Sequence, residues 1–286
     1  MARRLLTAAV LIPIVVALVW WAPPWLLAIA AAVVAILALI EFFDLGDRMG
    51  LRAFRQWSLF GAALIFYSQF STGLVQTRAV SSELTAVIHR ADWPVIPLDL
   101  ALLLFVAGAV AIGLATRRPL GEVLPALSVG SSGLLFIALP FSYLVRIDEM
   151  DRFGKHLVLF TLVLVWSGDM LAYFVGRFAG RVPMAPALSP KKTWEGAIAN
   201  VAAALVVAVF FARWMDTDLV TMLVVAALAN IAGQAGDLIE SAYKRGASVK
   251  DSGGLLPGHG GMLDRIDSLI FAAPVVWLVF RWLGKQ

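Results

Sequence analysis

The sequence predicts an all-α protein that crosses a membrane many times, and three observations lead to this fold class. Hydrophobic residues make up 61% of the 286 positions and charged residues only 15%, whereas roughly a quarter of the residues in a soluble domain are charged. Several apolar runs reach the ~20 residues that a helix needs to cross a hydrocarbon core. No stretch shows the alternation of apolar and polar residues that is typical of a transmembrane barrel. Backbone polar groups in lipid must be hydrogen-bonded within the protein, so the apolar runs are predicted to be helices.

The first apolar run, which ends at Trp21, resembles a signal peptide because Arg3 and Arg4 precede it. No small-residue cleavage site follows, since Pro23 and Pro24 lead directly into another apolar run. We therefore interpret the first run as a transmembrane helix and not as a removed leader. The apolar runs together predict nine spans, at residues 5–21, 25–43, 57–75, 98–115, 123–145, 157–176, 197–214, 219–239 and 267–283.

The basic residues give these spans a direction. With the N-terminus in the cytoplasm, the inner connections hold most of the 23 Lys and Arg residues, as the positive-inside rule requires. The connections that follow the sixth and eighth spans then face the cytoplasm. The excess of 23 Lys and Arg residues over 19 Asp and Glu residues is too small to indicate a nucleic-acid partner. The lack of cysteine excludes disulfides, thiolate nucleophiles and Cys-ligated zinc.

The polar residues divide the chain into two regions of one continuous membrane domain. We interpret residues 1–155 as a transmembrane scaffold and residues 156–286 as a catalytic region. Within the scaffold, Glu41 and Asp44 lie near the end of the second span. Acids at membrane depth are functional candidates, but a cap at a helix end next to Asp47 explains them as well, and we favour the cap.

Three polar residues share one face of the sixth span. Asp169, Tyr173 and Arg177 recur at four-residue spacing, and the face that they form ends at the cytosol. A charged Asp about two turns inside a span is costly unless it faces a wet cavity or a partner. Asp169 is therefore a candidate site residue. The alternative is a polar network that only ties helices together.

A second polar stripe follows one face of the eighth span. Its members are Asn230, Gln234, Asp237 and Ser241, at positions i, i+4, i+7 and i+11. Such stripes also hold helices together, but this one is extended by Glu240 and Lys244 and runs into a basic, glycine-rich loop, 244–263. Glycines let backbone N–H groups approach an anion, and cations neutralise it. The loop therefore predicts a phosphate site.

Two carboxylates follow this loop directly. Asp264 and Asp267 lie one helical turn apart at the start of the ninth span. Hard oxygen ligands in this number suit Mg²⁺, whose remaining positions are completed by substrate phosphates and water. The alternative to a metal site is a purely structural role, because acidic side chains at a helix N-terminus interact favourably with the helix dipole. Cations, carboxylates and glycines in one loop together indicate phosphoryl or nucleotidyl transfer.

These residues resemble a known family. The C-terminal signature of the phosphatidate cytidylyltransferases (CDP-diacylglycerol synthases) is similar to Ser241-x-x-Lys244-Arg245, Lys250-Asp251-x-Gly253 and Pro257-x-His259-Gly260-Gly261-x-x-Asp264-Arg265-x-Asp267. Upstream, the family's second block resembles Asp169, Tyr173, Gly176-Arg177 and the run Ser189-Pro190-Lys191-Lys192-Thr193-Trp194-Glu195-Gly196. The resemblance covers residues 165–270.

The resemblance implies transfer of CMP from CTP to phosphatidate, which gives CDP-diacylglycerol and pyrophosphate. It implies Mg²⁺ as cofactor, with a second cation left open, an active site open to the cytoplasm and to lipid, and a homodimer. We expect the protein in a bacterial cytoplasmic membrane. The resemblance implies three metal ligands, Asp237, Asp264 and Asp267. The expected catalytic residues are these three and Lys244. The expected substrate-binding residues are Asp169, Arg177, Ser189, Lys191, Lys192, Thr193, Arg245, Lys250, His259 and Arg265.

Two other functions stay open on the sequence. A transporter of an anionic solute would also carry intramembrane acids, but transporters usually place their sites at the midplane between repeated halves. Here the charge gathers at one membrane face and in one third of the chain. Another lipid-phosphate transferase, such as a CDP-alcohol phosphotransferase, would resemble its family through an Asp-Gly-x-x-Ala-Arg element, which this chain lacks.

Overall fold

In the computed structural model of the protein, the chain is built almost entirely of helices. The structure describes residues 2–80, 94–116, 119–150, 152–254 and 260–283, without the side chains of residues 2–8, 74–80 and 120. The helices are α1 (Ala2–Trp21), α2 (Pro24–Arg48), α3 (Arg55–Val80), α4 (Leu98–Ala115), α5 (Leu120–Gly133), α6 (Leu139–Asp148), α7 (Gly154–Phe178), α8 (Trp194–Met215), α9 (Leu219–Gly246) and α10 (Leu263–Leu283). A π-helical turn, Leu134–Ala138, joins α5 to α6.

Seven helical segments in the described part of the chain are long and apolar enough to cross a membrane. They are Pro24–Arg48, Leu98–Ala115, Gly121–Asp148, Gly154–Phe178, Trp194–Met215, Leu219–Gly246 and Leu263–Leu283. This number of apolar helices confirms the predicted class, an all-α polytopic membrane protein. Helices α1 and α3 also coincide with predicted spans. The apolar described part of α1, Ala9–Trp21, is too short to be counted, so the total of nine stays a prediction.

The chain forms two compact units. One unit contains residues 17–154, and the other contains residues 1–16 and 155–286. The predicted division of roles, with a scaffold in residues 1–155 and catalysis in residues 156–286, stays a prediction.

In the first unit, α3 packs against α2, α4 and α6. Its buried Gln69 donates a hydrogen bond to the Ser142 hydroxyl at 3.3 Å. At the start of α3, Arg55 donates to Asp44 at 2.6 Å and to Asp47 at 2.9 Å. These ion pairs join the end of α2 to α3, which agrees with the structural interpretation of Asp44.

In the second unit, α9 packs along both α8 and α10. Helix α9 begins after Asp218, whose carboxylate accepts hydrogen bonds from the backbone N–H and the hydroxyl of Thr221, both at 2.8 Å. Hydrogen bonds to the charged form lower the pKa of a carboxyl group. The backbone bond above all, and then the hydroxyl, hold the pKa of Asp218 below its ordinary value.

Two glycines allow α9 and α10 to approach each other closely. A Cβ atom at Gly233 would lie 3.0 Å from the Ser268 carbonyl oxygen. A Cβ at Gly236 would lie 2.6 Å from the Asp267 carbonyl oxygen and equally close to Cδ2 of Phe271. Because glycine places no side chain at these two positions, the carboxyl-terminal part of α9 lies close beside the first turns of α10.

A small β-hairpin, which we did not predict from the sequence, connects α7 to α8. Its strands are β1 (Pro183–Ala185) and β2 (Ser189–Thr193), paired antiparallel with Pro183 opposite Thr193. Strands of three and five residues are too short for hydrophobic alternation to reveal. The hairpin matters because β2 carries Lys191, Lys192 and Thr193 toward the predicted site.

Candidate active site

A cavity of about 300 Å³ lies within the second unit, between α7, the hairpin, α8 and α9. Each of these elements contributes polar side chains to the wall. They are Asp169 and Tyr173 of α7, Lys191, Lys192 and Thr193 of β2, Asn200 of α8, and Gln234 and Asp237 of α9. The structure therefore brings together five predicted site residues that lie as far as 68 positions apart, Asp169 to Asp237, in the sequence.

The hairpin is attached to α9 at two points. The Lys192 ammonium forms an ion pair with Asp237 Oδ2 at 2.6 Å. Near the hairpin turn, Arg245 Nε donates to the Leu188 carbonyl oxygen at 3.0 Å. At the end of β2, the Thr193 hydroxyl accepts from the Gly196 N–H at 3.2 Å and caps α8. Lys192 and Thr193 therefore line the cavity, while Arg245 holds the hairpin from outside it.

Three carboxylates meet where α9 and α10 are closest. Oxygen atoms of Asp237, Glu240 and Asp267 all lie within 4.8 Å of one another. Asp237 and Glu240 lie three residues apart on one face of α9, and the glycine contact at Gly236 brings Asp267 to the same place. Acidic groups so close together repel each other unless a cation offsets their charge. Carboxylate oxygens are the ligands that Mg²⁺ prefers, so this donor set fits that ion.

Asp264, the other predicted metal ligand, does not belong to this group in the structure. Its Oδ1 atom pairs with the Lys244 ammonium at 2.6 Å. Its Oδ2 atom accepts from the N–H and the hydroxyl of Ser252, at 3.0 and 3.1 Å, and from the N–H of Gly261 at 2.9 Å. Asp264 lies in the first turn of α10, where the preceding loop offers these donors, and it fastens that loop. Metal binding by Asp264 stays a prediction.

Glu240 is the third carboxylate that lies beside Asp237 and Asp267 in the structure. The sequence pattern predicts Glu240 only as an extension of the polar stripe on the eighth span. Its spacing of three residues from Asp237 was the available signal, since residues at i and i+3 share a helical face. What the sequence did not show was the glycine contact that brings α10 to that face.

Lys244 bridges the two helices that carry the acids. It forms ion pairs with Glu240, one turn earlier on α9, and with Asp264 of α10. The Lys244 side chain is only 13% exposed and that of Glu240 only 4%. Water therefore screens these charges weakly, and the three groups depend on one another for compensation.

Asn200 is a cavity residue that the sequence analysis missed. Its side-chain amide donates to Asp169 Oδ1 at 3.3 Å. The available signal was a single carboxamide in the otherwise apolar run of α8. Arg177, on the same face of α7 as Asp169, donates from its guanidinium to the Tyr173 hydroxyl at 2.8 Å.

The remaining predicted residues lie outside the described cavity lining. Ser189 begins β2, Lys250 is exposed beyond the end of α9, and Arg265 is exposed in the first turn of α10. Arg177 lies near the end of α7, on the same face as Asp169. The prediction for His259 falls outside the described residues.

Comparison with known proteins agrees with these features. The sequence model of the cytidylyltransferase family matches residues 2–283. The chain is 34% identical to a phosphatidate cytidylyltransferase of Haemophilus influenzae over 95% of this chain and 96% of that protein. It is 39% identical to one of Bacillus subtilis over 51% of this chain and 55% of that protein. A third, of Brucella abortus, is 43% identical over 61% of this chain and 63% of its own length.

Proposed function

Because the chain belongs to the cytidylyltransferase family, we propose that it transfers CMP from CTP to phosphatidate, which gives CDP-diacylglycerol and pyrophosphate. The observation that carries the proposal is the group of three carboxylates next to a lysine-lined cavity. Such a group suits a divalent cation and the phosphates of a nucleotide. An enzyme for this reaction must also lie in the membrane, since phosphatidate stays in its leaflet whereas CTP is dissolved in water.

Asp237, Glu240 and Asp267 would hold Mg²⁺ in this site, and the ion would supply positive charge to the phosphate oxygens. Lys192, which pairs with Asp237, would give up that partner to the cation and turn its ammonium to a phosphate. Lys191 on the same strand adds a second positive charge to the cavity wall. Asp264 would act on the cation indirectly, because it holds the loop and shares Lys244 with Glu240.

In the proposed reaction, a phosphate oxygen of phosphatidate attacks the α-phosphorus of CTP in line. A new phosphorus–oxygen bond forms, the bond from the α-phosphorus to the bridging oxygen of the β-phosphate breaks, and pyrophosphate leaves with the electron pair. The lipid phosphate is already ionised, so no protein nucleophile is required. The residues of the site contribute position and charge stabilisation.

We also propose that the cavity faces the cytoplasm of a bacterial cell, where CTP is found. The basic residues of the hairpin and of the end of α9 support this side, because positive charge accumulates in cytoplasmic connections. The three relatives described above come from bacteria. The homodimer is an expectation from the family resemblance.

The proposal is tested by incubating the purified protein with labelled CTP, phosphatidate and Mg²⁺ and by counting label in the lipid fraction. We expect lipid label that is lost with EDTA and restored by added Mg²⁺. Asp267→Asn, which removes one negative ligand, should lower turnover about 100-fold or more, because a catalytic cation supplies several kcal/mol. Glu122→Gln, a change of an exposed acid in the other unit, is the matched control and should leave turnover unchanged.

Two results would count against the proposal. Near-normal turnover of Asp267→Asn would contradict the proposal that the three carboxylates hold the divalent cation. Label that never enters lipid but accumulates inside proteoliposomes as free solute would favour a transporter.

A further inference from the structure

Three carboxamide side chains form a continuous row of hydrogen bonds at the cavity, and two of them, Asn200 and Gln234, belong to its lining. Gln234 Nε2 donates to Asn230 Oδ1 at 2.7 Å, and Asn230 Nδ2 donates to Asn200 Oδ1 at 2.5 Å. Asn200 Nδ2 then donates to Asp169 Oδ1 at 3.3 Å. We call these three residues the carboxamide chain. It starts on α9, crosses to α8 and donates to Asp169 of α7.

The direction of the carboxamide chain is the same at every step. An amide group donates only through its nitrogen and accepts only through its oxygen. The side-chain oxygens of Asn230 and Asn200 each accept from the preceding amide nitrogen, so the nitrogen of each is left to donate to the next residue. Backbone carbonyl oxygens take further donors, since Gln234 also reaches Ala197 at 3.3 Å and Asn230 also reaches Asn200 at 3.4 Å. Reversal of one amide would leave two oxygens facing each other.

Burial makes this order costly to break. Asn200 is 6% exposed and Asn230 is 4% exposed, so little water reaches them to replace a lost partner. A buried polar group that is left without a hydrogen bond is unfavourable, because it has lost its contacts with water. The helices are also shaped for the contact, because a Cβ at Gly168 would collide with Asn200 Oδ1. The absence of a side chain at Gly168 lets the amide of α8 reach the neighbouring Asp169.

Buried amides between membrane helices often serve only to hold the helices together. Gln69 of the first unit is such a case, since it donates to the Ser142 hydroxyl. The carboxamide chain differs because its last donor contacts a carboxylate, and that carboxylate lines the cavity together with Asp237 and Lys192. A row of neutral dipoles therefore ends on a charged group at the place where substrate would bind.

We propose that Asn200, Asn230 and Gln234 are positioning residues that fix the orientation of the Asp169 carboxylate in the cavity wall. Asn200 holds one carboxylate oxygen, and the other is thereby directed to the bound nucleotide and its cation. Asn230 and Gln234 act through Asn200, because they set which end of its amide faces Asp169. The inference rests on the proposed function, since Asp169 acts on the substrate of that site.

A double-mutant cycle tests this role. Asn200→Leu, Asp169→Asn and the double variant are purified, and kcat and KM for CTP are measured with phosphatidate and Mg²⁺. Loss of a residue that orients a ligand typically costs about 10- to 100-fold. We expect a loss in this range for Asn200→Leu and no further loss when it is added to Asp169→Asn, because residues that act as a unit are not additive.

Two further measurements separate positioning from folding. The melting temperature of each variant is recorded with and without CTP, and Asn200→Leu and Asp169→Asn should reduce the CTP-induced rise alike. Gln69→Leu, which removes a buried amide from the first unit, is the matched control. It should lower the melting temperature but leave kcat/KM within about twofold of the unchanged protein, as expected for a residue outside the site.

The outcomes are distinguishable. Losses from Asn200→Leu and Asp169→Asn that multiply in the double variant would overturn the positioning role while the proposed function stands. An unchanged protein that makes no lipid product would overturn the proposed function and this inference with it. Should Asn200→Leu not fold, Gln234→Met at the half-buried end of the carboxamide chain replaces it in the same cycle, with the same expected non-additivity.

Discussion

Lys244 is the residue on which two buried acids of the site depend. Its ammonium contacts Glu240 and Asp264, whose side chains are only 4% and 10% exposed. A buried ion pair adds little net stability compared with apolar residues of the same shape, but removal of one partner leaves an uncompensated buried charge. Here one ammonium group pairs with two carboxylates, so loss of the Lys244 charge should reduce the charge compensation of both.

We predict that Lys244→Met lowers the free energy of unfolding by about 3–5 kcal/mol, the range for a broken buried pair. Urea or thermal unfolding of the detergent-solubilised protein measures the change. Addition of Glu240→Gln should restore part of the loss, because one buried negative charge is then removed. Lys250→Met, at an exposed position, is the control for stability. Equal stabilities for Lys244→Met and Lys250→Met would contradict this account of the pair.

At the scale of elements, the contact between α9 and α10 assembles the carboxylate group. Asp237 and Glu240 lie on one helix and Asp267 on the other. The helices reach this distance because Gly236 has no side chain where the Asp267 carbonyl oxygen and the Phe271 ring lie. Overpacking of such a contact costs typically about 1–3 kcal/mol, since packed helices must move apart.

We therefore predict that Gly236→Ala destabilises the protein by about 1–3 kcal/mol and lowers turnover by moving Asp267 away from Asp237. Unfolding midpoints and CTP turnover are measured together. Gly121→Ala is the matched control, because a Cβ at this helical glycine meets nothing within 4 Å. It should be neutral or stabilising by up to about 1 kcal/mol. If both substitutions behaved alike, close packing at Gly236 would not explain the site.

Hydrophobic patterning predicted the elements unevenly. Helices α7, α8 and α9 were predictable because each is a long apolar run that must span a membrane. The hairpin was not, because β1 and β2 are too short and too polar to show periodicity. Asp237 and Asp267 were found from their motif, whereas Glu240 and Asn200 needed the packing of helices, and a single sequence does not contain that information.

At the scale of the whole molecule, the side of the membrane that the site faces follows from the positions of basic residues. The hairpin and the connection between α8 and α9 lie at opposite ends of α8, which is 22 residues long and apolar enough to span the membrane. Since the hairpin side carries the lysines, the positive-inside rule predicts that it is cytoplasmic.

The chain contains no cysteine, so single cysteines can report this sidedness without background. We predict that Asp216→Cys, at an exposed position between α8 and α9, reacts with a membrane-impermeant maleimide on intact spheroplasts. Ala187→Cys, in the exposed turn of the hairpin, should react only after the membrane is permeabilised. Labelling of Ala187→Cys on intact spheroplasts would reverse the proposed orientation.

The central claim is that a single site moves CMP from CTP to phosphatidate, and the fate of the two ends of the triphosphate tests it most directly. The purified protein is supplied with phosphatidate, Mg²⁺ and CTP labelled either at the α-phosphorus or at the γ-phosphorus. We predict that the α label appears in the lipid product and that the γ label appears only in pyrophosphate. Transfer of the γ label to lipid, or no α label in lipid, would contradict the claim.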